Sequence, residues 1–128
     1  MLTLVLPGPR VQIVDSPIPE PQDGQVLIKV IVSGSNPKDW KVPEVFDTVI
    51  NQGDDIAGIV VKVGGNVTEF KPGDRVAAFH EMMSPHGSYA EYSLAWSHTT
   101  FHIPERTSFE GKLSSCAWDA ALLICSAY

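Results

Sequence analysis

The sequence predicts a mainly β fold: a partly open barrel of short antiparallel strands with short helices, ending in a C-terminal helix. Three observations carry that reading. Residues 56–63 and 75–79 are apolar, strand-like runs, and what separates them is turn chemistry. Gly64-Gly65-Asn66 supplies positions that accept positive φ, and Pro72-Gly73 suits a type II turn with proline first and glycine second. Residues 25–33, QVLIKVIVS, are almost wholly apolar and rich in β-branched side chains, as a central strand buried on both faces would be.

The other elements follow in chain order. Residues 1–6 and 11–14 flank Pro7-Gly8-Pro9-Arg10 and read as an N-terminal hairpin. Residues 16–24 carry prolines at 17, 19 and 21, which cannot donate ladder bonds, so this arm runs extended over the surface. Gly34 to Trp40 is a Ser-, Asn- and Pro-rich turn leading into a single helical turn at residues 39–41, and residues 42–52 are irregular. Gly58 inside an apolar run marks a bulge or the close approach of another backbone. Residues 80–87 form a loop, 88–94 a strand, and 99–103 a last strand stopped by Pro104. Thr107 and Glu110 make a capping box, and residues 113–128, rich in Ala and Leu, read as one helix. The chain thus divides into a barrel over residues 1–106 and a helical segment over 107–128.

At 128 residues with 44% hydrophobic content the chain makes one domain with a core of its own. A net charge of -6 argues against nucleic acid or anionic membrane as partner, since both call for clustered Lys and Arg. No apolar run is long enough to span a bilayer, and the N-terminus lacks a secretory pattern, which predicts a soluble, cytoplasmic protein. Cys116 and Cys125 stand on opposite faces of the expected helix, about 13 Å apart along its axis, and cannot pair within it. They read as small buried side chains. Two apolar stripes on that helix, one through Leu113, Ala117, Ala121 and Ile124 and one through Trp118, Leu122 and Cys125, predict self-association or a partner there.

Residues 53–76 carry the pattern G-D-D-x-A-G-x-V-x-x-V-G-x-x-V-x-x-F-x-x-G-D-R-V, with Asn36-Pro37-Lys38-Asp39 upstream and Gly87-Ser88-Tyr89-Ala90-Glu91-Tyr92 downstream. This resembles the GroES-like catalytic domain of the medium-chain dehydrogenase/reductase superfamily, and within it the zinc-free quinone oxidoreductases and the fungal enoyl reductases that work in trans with polyketide synthases. The resemblance implies a partly open barrel and, for a full-length relative, a Rossmann domain that binds NADPH. This chain has no glycine-rich phosphate turn after a strand, so it is expected to bind no cofactor itself and to be a reductase half stopping where that domain would begin.

The resemblance also locates chemistry. Where zinc-dependent relatives place a Cys and a His ligand, this chain has Asn36 and Asp54; a neutral amide is a poor zinc ligand, so no metal is expected. By resemblance, Asn36, Lys38, Asp54 and Asp55 line the floor of a substrate cleft, where an amide or ammonium would polarise a carbonyl while hydride reaches the β carbon. Asn36 and Asp39 could equally fix the turn by side-chain to backbone bonds. Asp54 and Asp55, adjacent in an extended segment, point to opposite faces, one to the cleft and one to the neighbouring loop. Trp40, Phe79, His80, Met82 and Met83 are candidates to line an apolar pocket for an acyl or polyketide-like chain, or are ordinary core. His80, Glu81 and His86 make a weak metal set, and His98 and His102, four apart in a strand, lie too far apart to share an ion. Two functions remain open: the substrate-binding half of an NADPH-dependent enoyl or quinone reductase, and a free-standing, cofactor-independent binding protein, cyclase or isomerase built on the same barrel.

Overall fold

The computed structural model describes residues 1–5, 11–46, 49 and 51–111. Strands β1 (Leu2–Val5) and β2 (Gln12–Asp15) pair antiparallel as the expected N-terminal hairpin, whose turn lies outside the described residues. The main sheet is fully antiparallel, in the order β6-β3-β4-β5-β7, with β3 at Gln25–Ser33, β4 at Asp55–Val63, β5 at Arg75–Phe79, β6 at Tyr92–Trp96 and β7 at Thr100–His102. It curls: β5 and β6, three places apart in the order, approach each other across the interior. Val26, Ile28, Ile56, Val60, Phe70, Val76, Ala78 and Ala95 fill that interior. The result is the partly open GroES-like barrel the sequence predicts.

The central strand is β4, not β3. Lys29 and Ile31 of β3 are exposed, whereas Asp55 to Gly58 of β4 are buried without a break. Gly58 explains the tight fit: an added Cβ there would overlap the Lys29 carbonyl oxygen of β3, and the β3–β4 register shifts beside it, between Val30 and Val32. Both turns around β4 and β5 form as expected, with Asn66 at φ 63° and Gly73 at φ 98°.

Three local readings are corrected. The helical turn expected at 39–41 is a nine-residue helix, α1 (Lys38–Phe46), which runs through Pro43. Proline removes one helical bond, but Pro43 is fully buried and Asp39 caps the first turn by accepting from the Asn36 N–H at 2.7 Å. Residues 88–91 are not strand: Ser88, Tyr89 and Glu91 donate their N–H groups to Gly53, Gln52 and Leu2, so β6 begins only at Tyr92. The helical turn at 109–111 is capped by Ser108, whose Oγ accepts from the Gly111 N–H at 3.0 Å, one residue beyond the expected Thr107. The helix expected over residues 113–128, with its two cysteines and apolar stripes, lies outside the described residues.

Candidate functional site

β3 ends at Ser33 and the chain turns through Gly34 into α1, so the first turn of α1 lies over the start of β4. Gly34 is required here, because a Cβ would sit 2.7 Å from the Asp55 Cβ. The arrangement leaves a cavity of about 270 Å³ walled by Asn36, Pro37, Lys38, Asp54, Asp55, Phe79 and Met82.

Its floor is ionic. Lys38 Nζ lies 2.7 Å from Asp54 Oδ2 and 3.0 Å from Asp39 Oδ1, and both carboxylates are buried. Burial alone would depress the Lys38 ammonium; hydrogen bonds and charges from Asp54 and Asp39 outweigh it, so its pKa lies above the usual lysine value. Asp39 Oδ2 also accepts from the Tyr89 hydroxyl at 2.9 Å. Burial, with that bond to Asp39, pushes the Tyr89 phenol up to about 12, so it remains a donor.

Asp55 differs from its two neighbours. Its Oδ2 accepts from Asn36 Nδ2 at 2.7 Å, while Oδ1 is buried with no partner among the described residues. Burial raises its pKa, the charges of Asp54 and Asp39 raise it further, and the Asn36 bond and Lys38 only partly oppose them.

On the far side of Asp54 lies His80. Its Nδ1 stands 3.5 Å from Asp54 Oδ1, and its Nε2 lies 2.9 Å from the Pro85 carbonyl oxygen. His80 walls a second cavity of about 230 Å³, shared with Glu81, Ser84, His86 and Trp96, rather than the first. Burial, then the charge of His80, lowers the His86 imidazole.

The structure therefore brings together Asn36, Lys38, Asp54, Asp55, Phe79 and Met82 around one cavity. Trp40 and Met83 do not wall it; both are more than half exposed. Asp54 and Asp55 both wall the cavity at the mouth of β4, and they differ in what they hold: Asp54 contacts Lys38 at the start of α1, and Asp55 accepts from Asn36 in the loop before it. Sequence reasoning passed over Tyr89 as a site residue. Its only signal is its place in the G-S-Y-A-E-Y motif, since its partner Asp39 lies fifty residues away in the chain.

Two groups that the fold implies can be tested against these residues. Zinc does not fit: the facing donors are an amide and a carboxylate already paired with an ammonium, and among the described residues no three His, Cys, Asp or Glu side chains converge on a metal position. A dinucleotide's diphosphate does not fit the cavity either, because its walls carry carboxylates and its one ammonium is already shared between two of them. Among the described residues no helix is long and apolar enough to cross a membrane.

A curled antiparallel half-barrel with a polar cavity at the mouth of its central strand is the GroES-like class of oxidoreductase domain. The chain belongs to the alcohol dehydrogenase GroES-like domain family of the medium-chain dehydrogenase/reductase superfamily, whose match covers residues 22–105. It is 55% identical over 109 residues to a trans-enoyl reductase of Gibberella fujikuroi, covering 84% of this chain and 32% of that protein. The quinone oxidoreductase from Coxiella burnetii superimposes with a TM-score of 0.77 at 27% identity, over 85% of this chain and 38% of that one. A mycobacterial protein solved in complex with NADPH superimposes with a TM-score of 0.74 at 26% identity, over 89% of this chain and 37% of that one. The chain spans about a third of the length of the curated relatives it matches.

Proposed function

We propose that this chain is the substrate-binding and catalytic half of an NADPH-dependent enoyl or quinone reductase of polyketide-type secondary metabolism. The observation that carries the reading is the placement of two donors at one cavity with an apolar side. An ammonium has three N–H groups; two of Lys38's face Asp54 and Asp39, which leaves a third for a ligand. Asn36 likewise has a second amide N–H beyond the one given to Asp55. When a conjugated carbonyl compound accepts hydride at its β carbon, negative charge builds on the carbonyl oxygen, and donors already fixed in place stabilise it. The raised pKa of Lys38 keeps that donor charged across neutral pH. Phe79 and Met82 offer the apolar side for the acyl chain or quinone ring.

NADPH, when bound, would supply the hydride. The cavity walls do not suit its diphosphate, so the reading places cofactor binding outside the described residues. Self-association through residues 113–128 belongs to the same proposal, and sedimentation of the chain with and without Trp118→Glu tests it: a strict monomer in both cases removes it.

A chimera tests the main reading. This chain replaces the matching third of the Gibberella fujikuroi enzyme, and NADPH oxidation is followed with a 2-enoyl thioester and with a quinone. Turnover is expected with one of them, and Lys38→Met should lower kcat by about 100-fold, as for loss of one oxyanion donor. A chimera that is folded by circular dichroism yet inactive on both overturns the proposal; turnover without NADPH favours a cofactor-independent isomerase or cyclase.

A further inference from the structure

The cavity at the mouth of β4 has more acid than base around it. Its walls carry one cation, Lys38, and two carboxyl groups, Asp54 and Asp55. A third carboxyl group, that of Asp39, contacts the same ammonium at 3.0 Å. Asp39, Asp54 and Asp55 are each at most 4% exposed, so water and salt screen them poorly and their field reaches into the cavity. Lys38 is shared between Asp39 and Asp54, so these two alone outnumber it by one charge, however Asp55 ionises. His80, beyond Asp54, walls the other cavity instead.

We propose that Asp39 and Asp54 determine the specificity of this cavity: their surplus negative charge rejects ligands that carry a carboxylate and selects uncharged carbonyl compounds such as esters, thioesters and quinones. This rests on the reading of the cavity as a carbonyl site and adds what the site refuses. A free enoic acid and its ester offer the same conjugated carbonyl to Lys38 and Asn36, and the same hydrocarbon chain to Phe79 and Met82. They differ in one charge. The ester's carbonyl oxygen can take the N–H of Lys38 that Asp39 and Asp54 leave over. The acid would stand there as the third carboxylate on one ammonium. Rejection by like charge needs no contact with the buried oxygens: two unit charges about 8 Å apart, at an effective dielectric of about 20, repel enough to weaken binding about 30-fold. Discrimination of this kind comes from a repulsive element built against the wrong ligand.

The test titrates the 128-residue chain with crotonate and with methyl crotonate at about pH 8, where an ordinary carboxylic acid is ionised and an ordinary imidazole is neutral. NMR shifts of Asn36 and Lys38 report binding, and the reading is the ratio of the two affinities. At low salt the wild-type chain should hold the ester about 30-fold more tightly than the acid, the effect of one unit charge. Asp54→Asn keeps an oxygen for Lys38 and removes one negative charge, so it should bring the ratio to within a few-fold of equality. Asp39→Asn should do the same. Because charge carries the effect, the wild-type ratio should also shrink as salt is raised from about 10 mM to about 0.5 M. An acid bound as tightly as the ester, or a ratio that neither folded variant changes, overturns this proposal alone when the probes still shift Asn36 and Lys38. Probes that shift neither residue overturn the carbonyl reading as well. If neither variant folds, the wild-type salt series decides, and a ratio that stays constant overturns the proposal.

Discussion

At its C-terminal end β4 runs into Gly64 and Gly65, where backbone packs on backbone; at its N-terminal end it starts from Asp54 and Asp55, where side chain meets side chain. The first end is closed by main-chain bonds, Gly64 N–H to Gln25 and Gly24 N–H to the Gly65 carbonyl, and no ionisable group is needed for them. A Cβ at Gly64 would overlap the Gln22 carbonyl oxygen, so the fit there is steric. The second end is held by an ammonium between two carboxylates, a phenol and an amide. One strand thus closes the barrel at one end with main-chain bonds and places Asp55, with Asp54 just before it, at the opposite mouth. Chemistry at the mouth can vary with pH or ligand without loosening the turn.

The comparison can be broken hardest at the turn. Gly64→Ala should destabilise the chain by about 3 kcal/mol or more, because the obstacle is backbone rather than a movable side chain. Urea unfolding measures this, and the loss should be the same at acid and neutral pH. A pH-dependent loss would mean that the two ends are coupled.

Lys38→Met should cost less, about 2–3 kcal/mol at neutral pH. Removing one partner of a fully buried pair costs about 3–5 kcal/mol, and Lys38 is about a quarter exposed. Here the loss should shrink at alkaline pH: the folded Lys38 pKa lies above the usual lysine value, so the stability its charge contributes is fully present below the unfolded value and is lost as pH rises through the folded one. A penalty that is flat with pH would show that Lys38 acts by packing its stem.

The smallest effect is expected at Asp55. Its folded pKa is raised above the ordinary 3.8, so the folded chain holds that proton more tightly than the unfolded chain does. The stabilisation from that proton is fully present below the unfolded value and is lost as pH rises through the folded one. Thermal unfolding across that window should therefore show wild type losing stability relative to Asp55→Asn as pH rises. The opposite slope would mean that Asp55 is stabilised as a carboxylate.

How much of this was legible depended on distance along the chain. The β4–β5 hairpin could be read directly, because Pro72 and Gly73 specify their turn within two residues. Motif resemblance points to Asn36, Lys38, Asp54 and Asp55, and the fold brings all four to one cavity. Only apolar character points to Trp40 and Met83, and it does not distinguish a cavity wall from an exposed surface. Residues 42–52 read as irregular, whereas α1 continues to Phe46, because the burial of Pro43 within it depends on contacts no local rule contains.

By itself, then, the sequence determined the β character of the chain, its tight turns, the family it belongs to and the residue types available for chemistry. Those are properties of neighbours, set by backbone sterics and by alternation over a few positions. Only the tertiary structure decided which carboxyl group has a cation and which does not. Asp54 and Asp55 are adjacent and chemically identical, yet Lys38 reaches one and leaves Asn36 to the other. That choice follows from how α1 lies over the mouth of β4, because the reach of an ammonium is a distance in space and not a spacing in the chain.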